Sequence, residues 1–311
     1  MGGEGLTEYK SVVMDSTRWA GFVHRDDDIV ISTPPKCGTT WTQMICALLI
    51  FQTPSFGEPL DRLSPWLDML TRDRNEVVAD LDAQQHRRFI KTHTPLDGLT
   101  YDPRVTYVVV GRDPRDVALS WDNHMANLNL ETFMNARAAA VGLEDVADML
   151  AQGPPPTVAD PKDRFWNWVD DPSTGPGSSL GANLHHLSTF WAVRNHPNVV
   201  FLHYDDLKAG LVGQMRLLAD RLGIEVPDEL WPQLAQAATF DSMRERADVT
   251  APDTTHSIWQ DNKQFFNKGL SGQWQEMLSP DDVARYHRRV KELAPADLAA
   301  WVHHEPMTPS S

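Results

Sequence analysis

Cysteine is almost missing: Cys37 and Cys46 are the only two in 311 residues, too few for a disulfide framework, and neither has a C-x-x-C or Cys/His spacing that suits zinc. Long apolar runs are missing as well. No window approaches the roughly 18 uninterrupted apolar residues that a membrane-spanning helix needs, which argues against membrane insertion. A surplus of positive charge is also lacking, because 28 basic side chains face 43 acidic ones for a net of −15. Such a chain repels nucleic acid and anionic lipid unless basic groups are gathered locally. The first residues, MGGEGLTEYK, have no basic stretch leading into an apolar one, and Leu6 stands where a myristoylation signal needs Ser or Thr. A cytoplasmic protein in reducing surroundings is the expectation. Internal repeats and heptads are absent too, which excludes solenoids and coiled coils.

What is present is an ordinary globular composition, 41% hydrophobic and 23% charged, on a chain long enough to bury a real core. The run Asp26 to Thr33, bounded by acids before and Pro34-Pro35 after, predicts a buried strand. The stretch TTWTQMICALLIF then places Trp41, Met44, Ile45, Leu48 and Leu49 at helical spacing, with Thr39 or Thr40 available as a cap. Strand signals recur at Phe89–His93, at Val105–Arg112 before an amphipathic stretch from Pro114, and at Asn198–Tyr204 before a helical pattern ending at Leu222. Strands alternating with helices predict an α/β fold, a mostly parallel sheet flanked by helices on both faces. A single domain over 1–311 is expected. Residues 131–183, rich in Pro, Gly and Ser, read as a loop-rich insertion on the acceptor side, whose Phe165, Trp166 and Trp168 suit either a lid or packing onto the core. Asp26-Asp27-Asp28 reads as a solvated turn.

Pro34-Pro35-Lys36-Cys37-Gly38-Thr39-Thr40-Trp41 has the parts of a phosphate loop: a strand end, a glycine, hydroxyls, a lysine and a helix N-terminus whose free N–H groups attract anions. It is not a Walker A sequence, since Lys36 precedes the glycine and no glycine opens the loop. Lys91 and His93 share one face of a strand end, within roughly 7 Å of each other. The ammonium disfavours imidazolium and keeps His93 able to accept a proton near pH 7. Arg112 ends the next strand with Ser120 eight residues on, so both can reach one phosphate; the alternative is that Asp113 and Asp116 neutralise Arg112 and Arg115. The segment Phe265 to Trp274 is a glycine-containing loop with a further cation, Lys268. Cys37 suits either a reactive thiolate or a small residue at a helix start. The adjacent pairs His185-His186 and His303-His304 point apart and make poor chelates. No metal is expected.

In this order, PKCGTTW, KTH, GRDPRDVALS and NKGLSGQW resemble the signature segments of the cytosolic-type sulfotransferases, over about Asp28 to Trp274, and LDAQQHRRFIKTHTPLDGL is similar to actinobacterial members proposed to sulfate glycolipids. The resemblance implies a P-loop-like sulfotransferase fold and 3′-phosphoadenosine 5′-phosphosulfate (PAPS) as donor, with 3′-phosphoadenosine 5′-phosphate (PAP) as product. Lys36, Cys37, Gly38, Thr39 and Thr40 would surround the 5′-phosphosulfate, and Trp41 would pack on adenine. Arg112, Ser120, Lys268 and Gly269 match positions that hold the 3′-phosphate, and Tyr204 matches a nucleoside-side tyrosine. His93 matches the general base, and Lys36 and Lys91 match lysines beside the transferring sulfonate. Asn267 stands where an arginine is usual, and Thr239 is a candidate for the hydroxyl at adenine. The implied acceptor is a hydroxyl on a hydrophobic or amphipathic small molecule of glycolipid, sterol or phenol type. A nucleotide-dependent phosphoryltransferase and a non-catalytic nucleotide-binding protein are the alternatives, and the oligomeric state is left open.

Overall fold

The computed structural model describes residues 5–151, 158–173, 175–177, 179–253, 255–266 and 269–305. Its centre is a four-stranded parallel sheet in the order β2-β1-β3-β4, built from β1 (Ile29–Ser32), β2 (Phe89–Thr92), β3 (Thr106–Gly111) and β4 (Val199–His203). All four residues of β1 are buried, as expected of a strand covered on both faces. Alternate residues enter two separate cores. Val30 packs with Tyr107, Val109, Val117 and Ala118 on one face, while Ile29 and Ile31 pack with Met44, Ile45 and Leu48 on the other. Each fully buried aliphatic side chain contributes about 1.5–3 kcal/mol.

The packing puts α1 (Thr39–Phe51), which follows β1, and the helix Pro114–Asn127, which follows β3, on opposite faces. Connections that part in this way open a crevice at the C-terminal ends of the strands. The register aligns those ends, pairing Ser32 with Thr92 and Gly111 with His203. Thr33, His93, Arg112 and Tyr204, each the residue after a strand, therefore lie along one edge.

Two expectations need correction. Residues 131–183 carry regular structure, with helices at Leu130–Val141, Ala147–Ala151, Pro161–Asp170 and Leu180–Trp191. The caps explain this: Asn129, Asp160 and Ser179 each accept a hydrogen bond from a first-turn N–H, and Pro161 takes a first-turn position that suits its fixed φ. Part of the Gly153–Pro161 stretch lies outside the described residues. Phe165, Trp166 and Trp168 are buried in the core beside Tyr286, so packing rather than a lid accounts for them. The acidic run Asp26-Asp27-Asp28 also ends in the interior. Asp28 and Arg88 are both about 1% exposed and form a two-point ion pair, Nε 2.8 Å and Nη2 2.5 Å from the carboxylate. This pair ties the start of β1 to the start of β2.

Candidate active site

A cavity of about 410 Å³ opens at the C-terminal edge of the sheet, within the size range of small-molecule sites. One end is built from β1 and α1. Gly38 has φ 106°, and a Cβ there would lie 3.1 Å from Tyr204, so only glycine allows the loop to turn this close to the tyrosine. No side chain caps α1 at Gly38, which leaves its first-turn N–H groups for a ligand. Lys36, itself at φ 67°, is half-buried beside Arg112 and Lys91. Burial first, then those two cations, push its ammonium down to about 7.

Arg112 donates to the carbonyls of Lys36 (3.1 Å) and Leu270 (3.2 Å), and its Nε is buried with no partner. The two acids next to it are occupied elsewhere. Asp113 binds the Arg115 guanidinium (2.7 Å from Nη2), and Asp116 accepts from Gly272 N–H at 2.9 Å. Neither Arg112 nor Lys36 forms an ion pair among the described residues, so no protein carboxylate there offsets their charge. Arg112 lies 4.3 Å over the Tyr204 ring, and Trp41 meets that ring edge-on at 5.4 Å while its indole N–H donates to Ala238 C=O at 2.8 Å. Ser120 and Gly269 line the same cavity.

Lys91 and His93 enter from β2. His93 Nδ1 is 2.7 Å from the Thr33 carbonyl. A carbonyl only accepts, so Nδ1 carries the proton and Nε2 keeps a lone pair. Burial, then Lys91, hold this imidazole well below its ordinary range, which makes it a neutral proton acceptor at pH 7. Lys91 is pushed down to about 8 by burial, against the opposing pull of Asp68, Asp253 and Asp61. Its ammonium sits 4.0 Å over the Trp66 ring, which in turn meets His93 edge-on at 4.7 Å.

Behind this strand end lies Asp68, fully buried. One carboxylate oxygen accepts from the hydroxyls of Thr92 and Thr94, both at 2.6 Å, and from Trp19 Nε1 at 3.1 Å; the other oxygen has no partner. Burial raises its carboxyl above the usual range despite those three donors. Residues 92 and 94 grip the aspartate on one face of the strand, while Lys91 and His93 line the cavity on the other. The same cavity has an apolar lining as well, from Met69, Trp121, Met125, Leu128, Phe133 and Ile258.

The cavity thus gathers Lys36, Gly38, Thr39, Thr40, Trp41, Lys91, His93, Arg112, Ser120, Tyr204 and Gly269. Two sequence-selected residues fall outside it. The Cys37 thiol packs behind the loop, 3.7 Å from Asn183 Nδ2, and burial pushes it up to about 12, so it is no reactive thiolate. Thr239 is spent on backbone geometry: it accepts from Ser242 N–H to cap the helix Phe240–Glu245 and donates to Gln236 C=O. Asn267 and Lys268 lie outside the described residues. Sequence reasoning missed Trp66, Asp68 and His124; only His124 carried a signal, four residues past Ser120 on the same helix face. Elsewhere, His203, Asp206 and His304 approach one another closely enough to share an ion. Both His203 nitrogens are already engaged, Nδ1 by Asp205 N–H and Nε2 by Val302 C=O.

Residues 26–297 match the family described as the sulfotransferase domain. The chain belongs to the sulfotransferase family. It is 44% identical over 310 residues to a glycolipid sulfotransferase of Mycobacterium bovis, covering 95% of this chain and 93% of that protein. Against rat sulfotransferase 1 family member D1 the identity is 23%, over 92% and 88% of the two chains. Among solved structures, the fold of this sulfotransferase is similar to that of mouse sulfotransferase SULT7A1 complexed with PAP, at 18% identity and TM-score 0.68, covering 93% and 92% of the two chains. It is also similar to retinol dehydratase in complex with androsterone and PAP, at 20% identity and TM-score 0.67, covering 89% and 83%.

Proposed function

We propose that this sulfotransferase uses PAPS to sulfate a hydroxyl of an amphipathic acceptor of the glycolipid class. The observation that carries the reading is the convergence of neutral His93 with Lys36 and Lys91 in a cavity lined by both cationic and apolar side chains. The mycobacterial relatives, named glycolipid sulfotransferases, support the acceptor class. The orphaned Nε of Arg112 and the lack of an ion pair at Lys36 among the described residues fit a bound phosphate and sulfonate.

When bound, the donor supplies an activated sulfonate and a phosphate leaving group. Lys36 and the N–H groups of Gly38, Thr39 and Thr40 would hold the phosphosulfate end. Arg112, Ser120 and Gly269, with Asn267 and Lys268, would hold the 3′-phosphate. Trp41 and Tyr204 would flank the nucleoside. His93 Nε2 takes the proton from the acceptor hydroxyl as that oxygen becomes nucleophilic, and Thr33 C=O steadies the imidazolium through Nδ1–H. Lys91, held over Trp66, offers positive charge where negative charge develops.

The test is transfer of radiolabelled sulfonate from PAPS to octyl β-glucoside, 4-nitrophenol and heparin in parallel, with ATP and magnesium as the competing donor. The glucoside is expected to be sulfated with the highest kcat/KM. Preference for heparin would overturn the acceptor class, and transfer from ATP alone would overturn the reaction.

A further inference from the structure

The mechanism gives no task to His124, a titratable side chain in the cavity. His124 projects from the helix Pro114–Asn127, and its Nδ1 lies 3.3 Å from Lys36 Nζ. When Lys36 is an ammonium it has only donors to offer, so this nitrogen then accepts and the ring proton of the neutral imidazole sits on Nε2. Aromatic rings fix the imidazole on several sides, with centroids 4.7 Å away at Trp259, 5.6 Å at Trp121 and 5.9 Å at Phe265. Phe265 also lies under the lysine, its centroid 4.5 Å from Nζ. One aromatic box therefore sets the direction of both side chains.

The chemistry of the acceptor matters because Lys36 is half-buried and crowded by Arg112 and Lys91. A lysine with no acceptor there would hold its proton, and with it the charge that an anion needs, less firmly. A carboxylate acceptor would keep the proton but cancel that charge. A neutral imidazole accepts one hydrogen bond and adds no charge. Burial, then Lys36, Lys91 and His93, keep His124 well below its ordinary range, so it stays an acceptor at neutral pH.

We propose that His124 is a positioning residue for Lys36: it accepts one ammonium hydrogen and so leaves the remaining donors aimed at the sulfonate of the incoming donor. The proposal rests on the reading of Lys36 as the lysine beside the sulfonate. Its test separates the acceptor atom from the aromatic packing. His124→Phe keeps a ring in the box and removes the acceptor; His124→Asn keeps an acceptor near the Nδ1 position and removes the ring.

In the ligand-free full chain, labelled-lysine NMR follows the Lys36 titration, with Lys36→Met used to assign the signal. The midpoint is expected to fall by about one pH unit in His124→Phe and to shift by no more than about 0.3 in His124→Asn. Turnover of saturating PAPS with octyl β-glucoside should drop about tenfold in His124→Phe and recover most of that loss in His124→Asn, with PAP affinity unchanged within about twofold in both. A Phe variant that titrates and turns over like the parent would overturn the proposal. So would an Asn variant as impaired as the Phe variant, because the ring and not the acceptor would then be what counts. If Lys36→Met turned over PAPS at the parent rate, the assignment of Lys36 would fail, whatever the NMR shows of the pair.

Discussion

Two lysines line this cavity, and their surroundings differ in kind. Lys91 has carboxylates within electrostatic reach, Asp68 and Asp253 foremost, and settles at about 8. Lys36 has cations around it and a neutral imidazole as its hydrogen-bond partner, and it settles at about 7. Lys91 thus has protein carboxylates that favour its charge, whereas the cations beside Lys36 oppose its charge. The contrast indicates which lysine binding should change more.

The largest effect that would break this comparison is in the rates. Lys36→Met should lower kcat for sulfonate transfer about 10²–10³-fold, by loss of a donor aimed at developing charge, and should exceed the loss in Lys91→Met. Steady-state kinetics on the two variants checks this, and equal losses would remove the distinction. Next is Asp68→Ala, which leaves two threonine hydroxyls and an indole N–H without their acceptor. The expected cost is about 3 kcal/mol of stability, read from urea denaturation, with kcat falling as Lys91 and His93 lose their fixed strand end.

Smaller is the proton count on binding. Both lysines have lowered folded values, so near pH 8 a good part of their ammonium charge is missing, and a bound sulfonate restores it by favouring the charged form. PAPS binding at pH 8 should take up about one proton, most of it at Lys36, and PAP binding should take up less. Calorimetry in buffers of different ionisation enthalpy measures both. The smallest effect is that of Thr239→Ala, which should cost about 1 kcal/mol through the lost helix cap and leave PAP affinity unchanged by the same calorimetry.

The four strands and the phosphate loop were legible because their signals are local: apolar β-branched runs such as Ile29–Ile31 stop at turn residues, and the lysine, glycine and threonines follow one another. The contest between Arg112 as anion ligand and as ion-pair member was not legible. It turns on Gly272, whose N–H occupies Asp116 from 156 residues away. Asp68 was invisible for the same reason, since its partners Thr92 and Thr94 meet it only through the fold. The helices of 131–183 were hidden by the Pro- and Gly-rich stretches between them, although Asn129, Asp160 with Pro161, and Ser179 were readable start signals. Thr239 was ambiguous because a hydroxyl near an expected ligand and a hydroxyl at a helix cap look alike in one dimension.

The central claim is that a neutral His93, with its proton on Nδ1 and its Nε2 open to the cavity, takes the acceptor's proton. His93→Ala with saturating PAPS and octyl β-glucoside, measured beside the PAP dissociation constant of the same variant, tests it most directly. The account predicts a fall in kcat of about 10²–10⁴-fold with PAP affinity unchanged within about twofold. A variant that keeps its turnover, or loses nucleotide binding in step with it, would contradict the account.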